Sequence, residues 1–189
     1  MGLYFTSDQH FGHKNIITYE TRPWRDVDEM TTGLIANYNS VISDDDTVYF
    51  VGDFTLQFRY AAAVLPKLKG NKQLYMGNHD SCHPAFKFKD KTATVQQYLD
   101  IGFTKVALSK SLVLANGKRA FVTHVPYDDM RYPHFAAVRG EEDILIHGHV
   151  HSAWRLKYYK NIPMFNVGVD VNNYFPISEE ELISTVWPS

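Results

Sequence analysis

The stretch Lys72-Gln73-Leu74-Tyr75-Met76-Gly77-Asn78-His79-Asp80 runs from an apolar segment into three consecutive polar side chains, with a glycine at the join. Residues 72–76 read as a strand. Gly77 lets the backbone turn as the strand ends, and Asn78, His79 and Asp80 follow as groups suited to face a metal or a phosphate. Alone, the tetrapeptide equally fits a strand-to-helix loop in which Asn or Asp caps the helix. The rest of the chain tips the balance. Asp8 and His10 follow one expected strand, Asp53 a second, His124 a third, and His149 with His151 a fourth. Strands that repeatedly end in a carboxylate or an imidazole point to metal binding.

Upstream of this stretch, residues 3–6 form a short buried strand that empties into Ser7-Asp8-Gln9-His10-Phe11-Gly12-His13. Residues 26–42 carry apolar side chains at helical intervals, and Asp26 with Glu29 has the spacing of a capping box. The consecutive acids Asp44, Asp45 and Asp46 lack the alternation of a calcium loop and read as a solvated turn. Residues 47–51 are a β-branched and aromatic strand ending at Gly52-Asp53, and residues 59–68 a helix stopped by Gly70-Asn71. Downstream, a loop leads to a helix over 94–101. Closely spaced strands follow at 104–108, 111–114 and 119–123, the last two joined by the Asn116-Gly117 turn. A long loop, 126–140, precedes strands at 143–146, 153–159 and 164–171. Ser178 with Glu181 caps a final helix, with Ile177 and Leu182 as its staple. Three strand–helix units followed by short strands imply an α/β fold of two packed sheets with helices outside, in one domain over residues 1–189 without a cap domain.

Composition narrows the function. With 44% hydrophobic and 14% aromatic residues the chain fills a sizeable core, and a net charge of -2 carries no polyanion-binding signature. Cys82 is the only cysteine, which excludes an intrachain disulfide, a zinc ribbon and a thioredoxin motif, and fits a reducing, cytoplasmic setting. No apolar run is long enough to span a bilayer, so no membrane partner is expected. The start Met1-Gly2-Leu3-Tyr4-Phe5-Thr6 formally matches a myristoylation pattern, but the same residues enter the first core strand.

In extended backbone, residues two apart share a face, so Asp8 with His10, and His149 with His151, each converge on one place while Gln9 and Val150 turn away. Seven ligand-type residues from five segments exceed what one ion needs and suit two. The ordered set Asp8-Gln9-His10, Gly52-Asp53, Gly77-Asn78-His79-Asp80, His124 and Gly148-His149-Val150-His151 resembles the calcineurin-like metallophosphoesterase family. The resemblance implies a four-layer α/β/β/α sandwich with a dinuclear site. It assigns Asp8, His10, Asp53 and His151 to one metal, and Asp53, Asn78, His124 and His149 to the other, with Asp53 bridging. It also places His79 against the scissile phosphate or leaving oxygen, with Asp80 orienting its imidazole.

In such a site two cations roughly 3.5–4 Å apart would supply a bridging hydroxide and draw charge from the phosphoryl oxygens, and the resemblance implies that His79 would protonate the leaving group. Mixed oxygen and nitrogen donors favour manganese, iron or zinc over calcium, manganese first. The implied activity is a phosphoester hydrolase, more specifically a phosphodiesterase on a small, possibly nucleotide, substrate. A phosphomonoesterase and a non-catalytic metal-bound scaffold are the alternatives. Asp53 is followed by Phe54-Thr55-Leu56 and Gly77 is preceded by Met76, so the further acid and arginines of the protein-phosphatase members are missing and a phosphoprotein substrate is disfavoured. Recognition then falls to loops, with His13, Tyr127, Arg131 and Arg139 as candidate substrate contacts. Loop packing is the competing reading for the aromatics. His147 is read as a packed, hydrogen-bonded histidine, Cys82 and His83 as exposed, and Asp170 as a support for a histidine ligand or a strand-end residue.

Overall fold

Strand β1 (Leu3–Thr6) lies in parallel beside β2 (Thr47–Phe50), and β2 beside β3 (Asn71–Tyr75), with Phe5 opposite Tyr49 and Phe50 opposite Leu74. The structure, a computed structural model, describes residues 1–84, 90–129 and 141–188. Strand β4 (Lys105–Ala107) extends this sheet in parallel on one side, and β10 (Ile177–Ser178) closes it antiparallel on the other, giving the order β10-β1-β2-β3-β4. The second sheet is built from β5 (Ser109–Val113), β6 (Arg119–Thr123), β7 (Ile144–His147), β8 (Leu156–Tyr159) and β9 (Ile162–Asn166), in the order β5-β6-β7-β9-β8. Its three central strands are parallel and both edges antiparallel. These are two packed five-stranded mixed sheets flanked by helices, the expected sandwich.

Alternation along each strand explains the layers. Phe5, Tyr49, Val51 and Tyr75 face the second sheet and meet Ala120, Val122, Ile144, Ile146 and Phe165. Their neighbours Val48, Phe50 and Leu74 point the other way, into Met30, Leu34 and Tyr38 of α2 (Val27–Val41), Ala61 and Val64 of α3 (Phe58–Val64), and Tyr98 of α4 (Lys91–Asp100). Strands buried on both faces read as nearly continuous apolar runs, as residues 47–51 do. The last helix, α5 (Glu179–Val186), packs Leu182 and Val186 into the intersheet core, and its cap Ser178 accepts from the Glu181 amide. Among the described residues no helix is long and apolar enough to cross a membrane.

Several local expectations change. Asp26 caps α2 through the Asp28 and Glu29 amides, but Glu29 accepts from the Arg25 amide and guanidinium at 2.8 and 3.1 Å rather than from Asp26. The helix expected over 59–68 ends at Val64 and tightens into a 3₁₀ turn over Leu65–Lys67, because Pro66 has no amide to continue the α-helical ladder. Asp44 and Asp45 are exposed as expected of a turn, whereas Asp46 is buried and accepts from Ser43 and from the Gly2 amide at 2.6 Å. A short helix, α1 (Lys14–Tyr19), was not expected. The strands expected over 153–159 and 164–171 run over Leu156–Tyr159 and Ile162–Asn166, and Ala153 and residues 169–171 lie in 3₁₀ turns instead.

Candidate metal centre

The loops that leave β1, β2, β3, β6 and β7 meet at one edge of the two sheets, where open α/β folds gather their sites. The backbone there is not extended. Asp8, His10, Asp53, His149 and His151 all have positive φ, between 45° and 75°. Each such residue costs of order 1–3 kcal/mol and persists only where its surroundings enforce it. The expectation that His149 and His151 converge on one place through strand alternation is therefore corrected. The left-handed turns send His151 to Asp8 and His10, and His149 to Asp53 and His124.

Each of these two triplets has donor atoms within 4.8 Å of one another. Asp53 links them: its Oδ2 lies 3.2 Å from His124 Nε2 and 3.6 Å from His10 Nε2. Both ring nitrogens of His10 and Oδ1 of Asn78 are buried without a hydrogen-bond partner. Buried polar atoms are rarely left so, and a cluster of them around carboxylates fits divalent cations held by mixed oxygen and nitrogen donors. Burial opposes charge on Asp53 and His124, yet their pairing holds Asp53 well below the carboxylate range and pushes His124 up to about 10. A bound cation would take over that attraction and release the proton. Two glycines keep the space clear. A Cβ on Gly77 would lie 2.2 Å from Asp53 Oδ1, and one on Gly148 2.4 Å from Asp8 Oδ2.

Outer partners fix the ring nitrogens of three histidines. His124 Nδ1 donates to Val51 O at 2.7 Å, His151 Nδ1 to Asp170 Oδ2 at 2.9 Å, and His149 Nε2 to Asp129 Oδ2 at 3.0 Å. For His124 and His151 the bond turns the opposite nitrogen toward the candidate metal position. Burial would raise the Asp170 carboxyl, but the bonds from His151 and from Arg22 hold it below its usual range. Asp170 thus supports a histidine, one of the two roles considered for it. Neither Arg22 nor Asp129 carries a spacing signal in the sequence, and both were missed.

Asp80 does not orient the His79 ring. Its oxygens accept from the backbone amides of Asp53 (2.9 Å), Gly77 (2.9 Å), Phe54 (3.0 Å) and Thr55 (3.3 Å), so it pins the loop carrying Asp53. Burial and the Asp53 carboxylate push Asp80 up to about 7 against those amides. His79 is exposed at the mouth, its amide bonded to Asp53 Oδ1 at 2.8 Å and its ring 5.4 Å from that of His10. His13 stands at the start of α1 with its ring 5.7 Å from His10, a helix-entry position that also borders the site.

Tyr127 is buried against Leu145 and Met164 and donates to Glu142, which makes it a packing residue rather than a substrate contact. Arg131 and Arg139 lie outside the described residues. His147 is fully buried, with Nδ1 bonded to Gly148 O at 2.8 Å. Cys82 and His83, expected to be exposed, are also buried, at 1% and 4% exposure.

No family model matches the chain. An uncharacterized protein of Methanocaldococcus jannaschii is 32% identical over 191 residues, covering 97% of this chain and 90% of that protein. The crystal structure of a protein of unknown function from Aquifex aeolicus superposes with a TM-score of 0.74 at 32% identity, over 97% of this chain and 98% of that one. More distant structures share the fold. A novel archaeal phosphodiesterase has a TM-score of 0.50 at 18% identity, over 89% of this chain and 84% of that one. A phosphopantetheinyl hydrolase of Mycobacterium tuberculosis has a TM-score of 0.52 at 14% identity, over 92% of this chain and 90% of that one. With a third of its residues shared along nearly its whole length, the chain belongs to the family of the M. jannaschii protein, on the calcineurin-like fold.

Proposed function

We propose that this protein is a metal-dependent phosphoester hydrolase, acting on a phosphodiester of a small, nucleotide-like molecule. The observation that carries the reading is Asp53, whose Oδ2 lies 3.2 Å from His124 Nε2 in its own ligand triplet and 3.6 Å from His10 Nε2 in the neighbouring one. One triplet alone would suit a structural ion; two adjacent triplets with a carboxylate between them suit phosphoryl transfer. Asp8, His10, Asp53 and His151 would hold one divalent cation, and Asp53, Asn78, His124 and His149 the other. When bound, the pair supplies Lewis acidity toward the phosphoryl oxygens and toward water. The donor set suits manganese, iron or zinc.

The chain's own groups do the rest. The buried amides held by Asp80 and the left-handed turns fix the donors before substrate arrives, so little reorganisation accompanies the reaction. In this reading His79, exposed and with its ring 5.4 Å from that of His10, would give a proton from its imidazole to a leaving oxygen. That help matters most for an alkoxide, which is the reason a diester is preferred in this reading.

The test is turnover of bis-p-nitrophenyl phosphate and p-nitrophenyl phosphate by metal-stripped protein, before and after Mn²⁺ is restored. Manganese-dependent diester turnover that vanishes in Asp53→Asn is expected. Turnover confined to the monoester would move the reading to a phosphomonoesterase. Inertness toward every phosphoester, with metal bound, would overturn it.

A further inference from the structure

We propose that Arg22 is a positioning residue for one metal position, locking the Asp8–His10 turn and the His151 imidazole into a single unit. The inference rests on the two-metal reading above. The Arg22 side chain is fully buried, and its guanidinium serves two sides of the site. Toward Asp170, Nε donates to Oδ1 at 2.8 Å and Nη2 to Oδ2 at 3.0 Å. Toward the first loop, Nη2 donates to the Asp8 carbonyl at 2.7 Å and Nη1 to the Gln9 carbonyl at 2.8 Å. The Asp170 oxygen that takes Nη2 also takes His151 Nδ1.

The consequence is geometric. Asp8 and His10 both sit at positive φ, and the carbonyls between them point inward, where they need donors. Arg22 supplies those donors and, through Asp170, sets the angle of the third histidine. Three ligands from opposite ends of the chain, Asp8, His10 and His151, are thereby referred to one rigid planar group. Lysine cannot replace it, because an ammonium lacks the fixed fork that reaches four acceptors in two directions. Asp170 neutralises the guanidinium, so a cation can sit nearby without facing an uncompensated positive charge. None of these bonds reaches His124, His149 or Asn78, and the effect should be confined to one metal position.

An arginine that only braced the fold would destabilise the protein without distinguishing the two positions. The experiment measures Mn²⁺ binding by isothermal titration calorimetry and electron paramagnetic resonance on the intact chain. Wild type is expected to bind two ions with a coupled dinuclear signal. In Arg22→Lys and Arg22→Met, one ion should weaken roughly 10–100-fold while the other keeps its affinity, the usual cost of losing an outer partner of a metal ligand. The coupled signal should then give way to an isolated one. Asp170→Asn, which keeps shape and leaves Arg22 unbalanced, should weaken the same ion. Equal weakening of both ions, or no change in either, would overturn the inference while leaving the two-metal reading standing. Fewer than two ions in wild type would overturn that reading itself, and this inference with it.

Discussion

Replacing Gly77 by alanine probes the site with one added methyl group. Gly77 does not have positive φ, so alanine suits its backbone, and the demand for glycine there is purely steric. A Cβ at this position would lie 2.2 Å from Asp53 Oδ1 and 2.4 Å from the Asp53 amide nitrogen. Ordinary contact lies near 3.5 Å, so the Asp53 segment must retreat by about 1 Å. The nearest atoms include backbone, which Asp80 also holds in place, and no rotamer change relieves the clash. Overpacking of this kind costs about 1–3 kcal/mol in stability. The larger effect falls on function, because a displacement of about 1 Å in a reacting constellation can cost on the order of 100-fold in rate. Gly77→Ala should therefore lower manganese-dependent turnover by about two orders of magnitude while the protein stays folded. Gly117→Ala is the control. Nothing lies within 4 Å of its Cβ, but φ is +80°, so it should lose about 1 kcal/mol in a urea melt and keep full turnover. Gly77→Ala with turnover within threefold of wild type would refute the reasoning.

Other substitutions separate the roles assigned above. Asp80→Asn should reduce Mn²⁺ affinity and slow aryl- and alkyl-leaving diesters alike, because Asp80 acts on the Asp53 loop; loss limited to the alkyl substrate would return it to His79. His147 is fully buried, and desolvation lowers its pKa to about 3 despite its bond to Gly148 O. The unfolded chain therefore binds a proton that the folded chain refuses below pH 6.5. The stabilising difference is whole above that pH and is lost progressively as pH falls toward about 3. Metal-stripped wild type should lose on the order of 3 kcal/mol more than His147→Phe between pH 7 and pH 4. Parallel urea midpoints for the two proteins across that range would count against it.

What the sequence disclosed follows the range of the interactions concerned. The strand over 47–51 and the helix over 26–42 are written in local periodicity, and both formed within a residue or so of their expected ends. The ordered Asp, His and Asn positions were legible because a strand followed by a polar ligand is itself a local pattern. The backbone that delivers them was not, since left-handed Asp8, His10 and His151 are imposed by tertiary bonds that no single residue announces. Asp170 reads from the sequence as a support for a histidine ligand, but Arg22 stands 148 residues from it and nothing local marks the arginine as its partner. Asp80 misled for a related reason. Beside His79 it resembles a carboxylate–imidazole pair, while its actual partners are mostly amides 25 to 27 residues earlier. Tyr127 read as an available aromatic because the apolar cluster of Leu145 and Met164 that absorbs it comes later in the chain.

The sharing of Asp53 between two cations is tested most directly by anomalous diffraction from crystals soaked in Mn²⁺. Two anomalous peaks roughly 3.5–4 Å apart are expected, both within coordination distance of the Asp53 carboxylate. A single peak, or two peaks with Asp53 bound to neither or to only one, would contradict a dinuclear centre built on this residue.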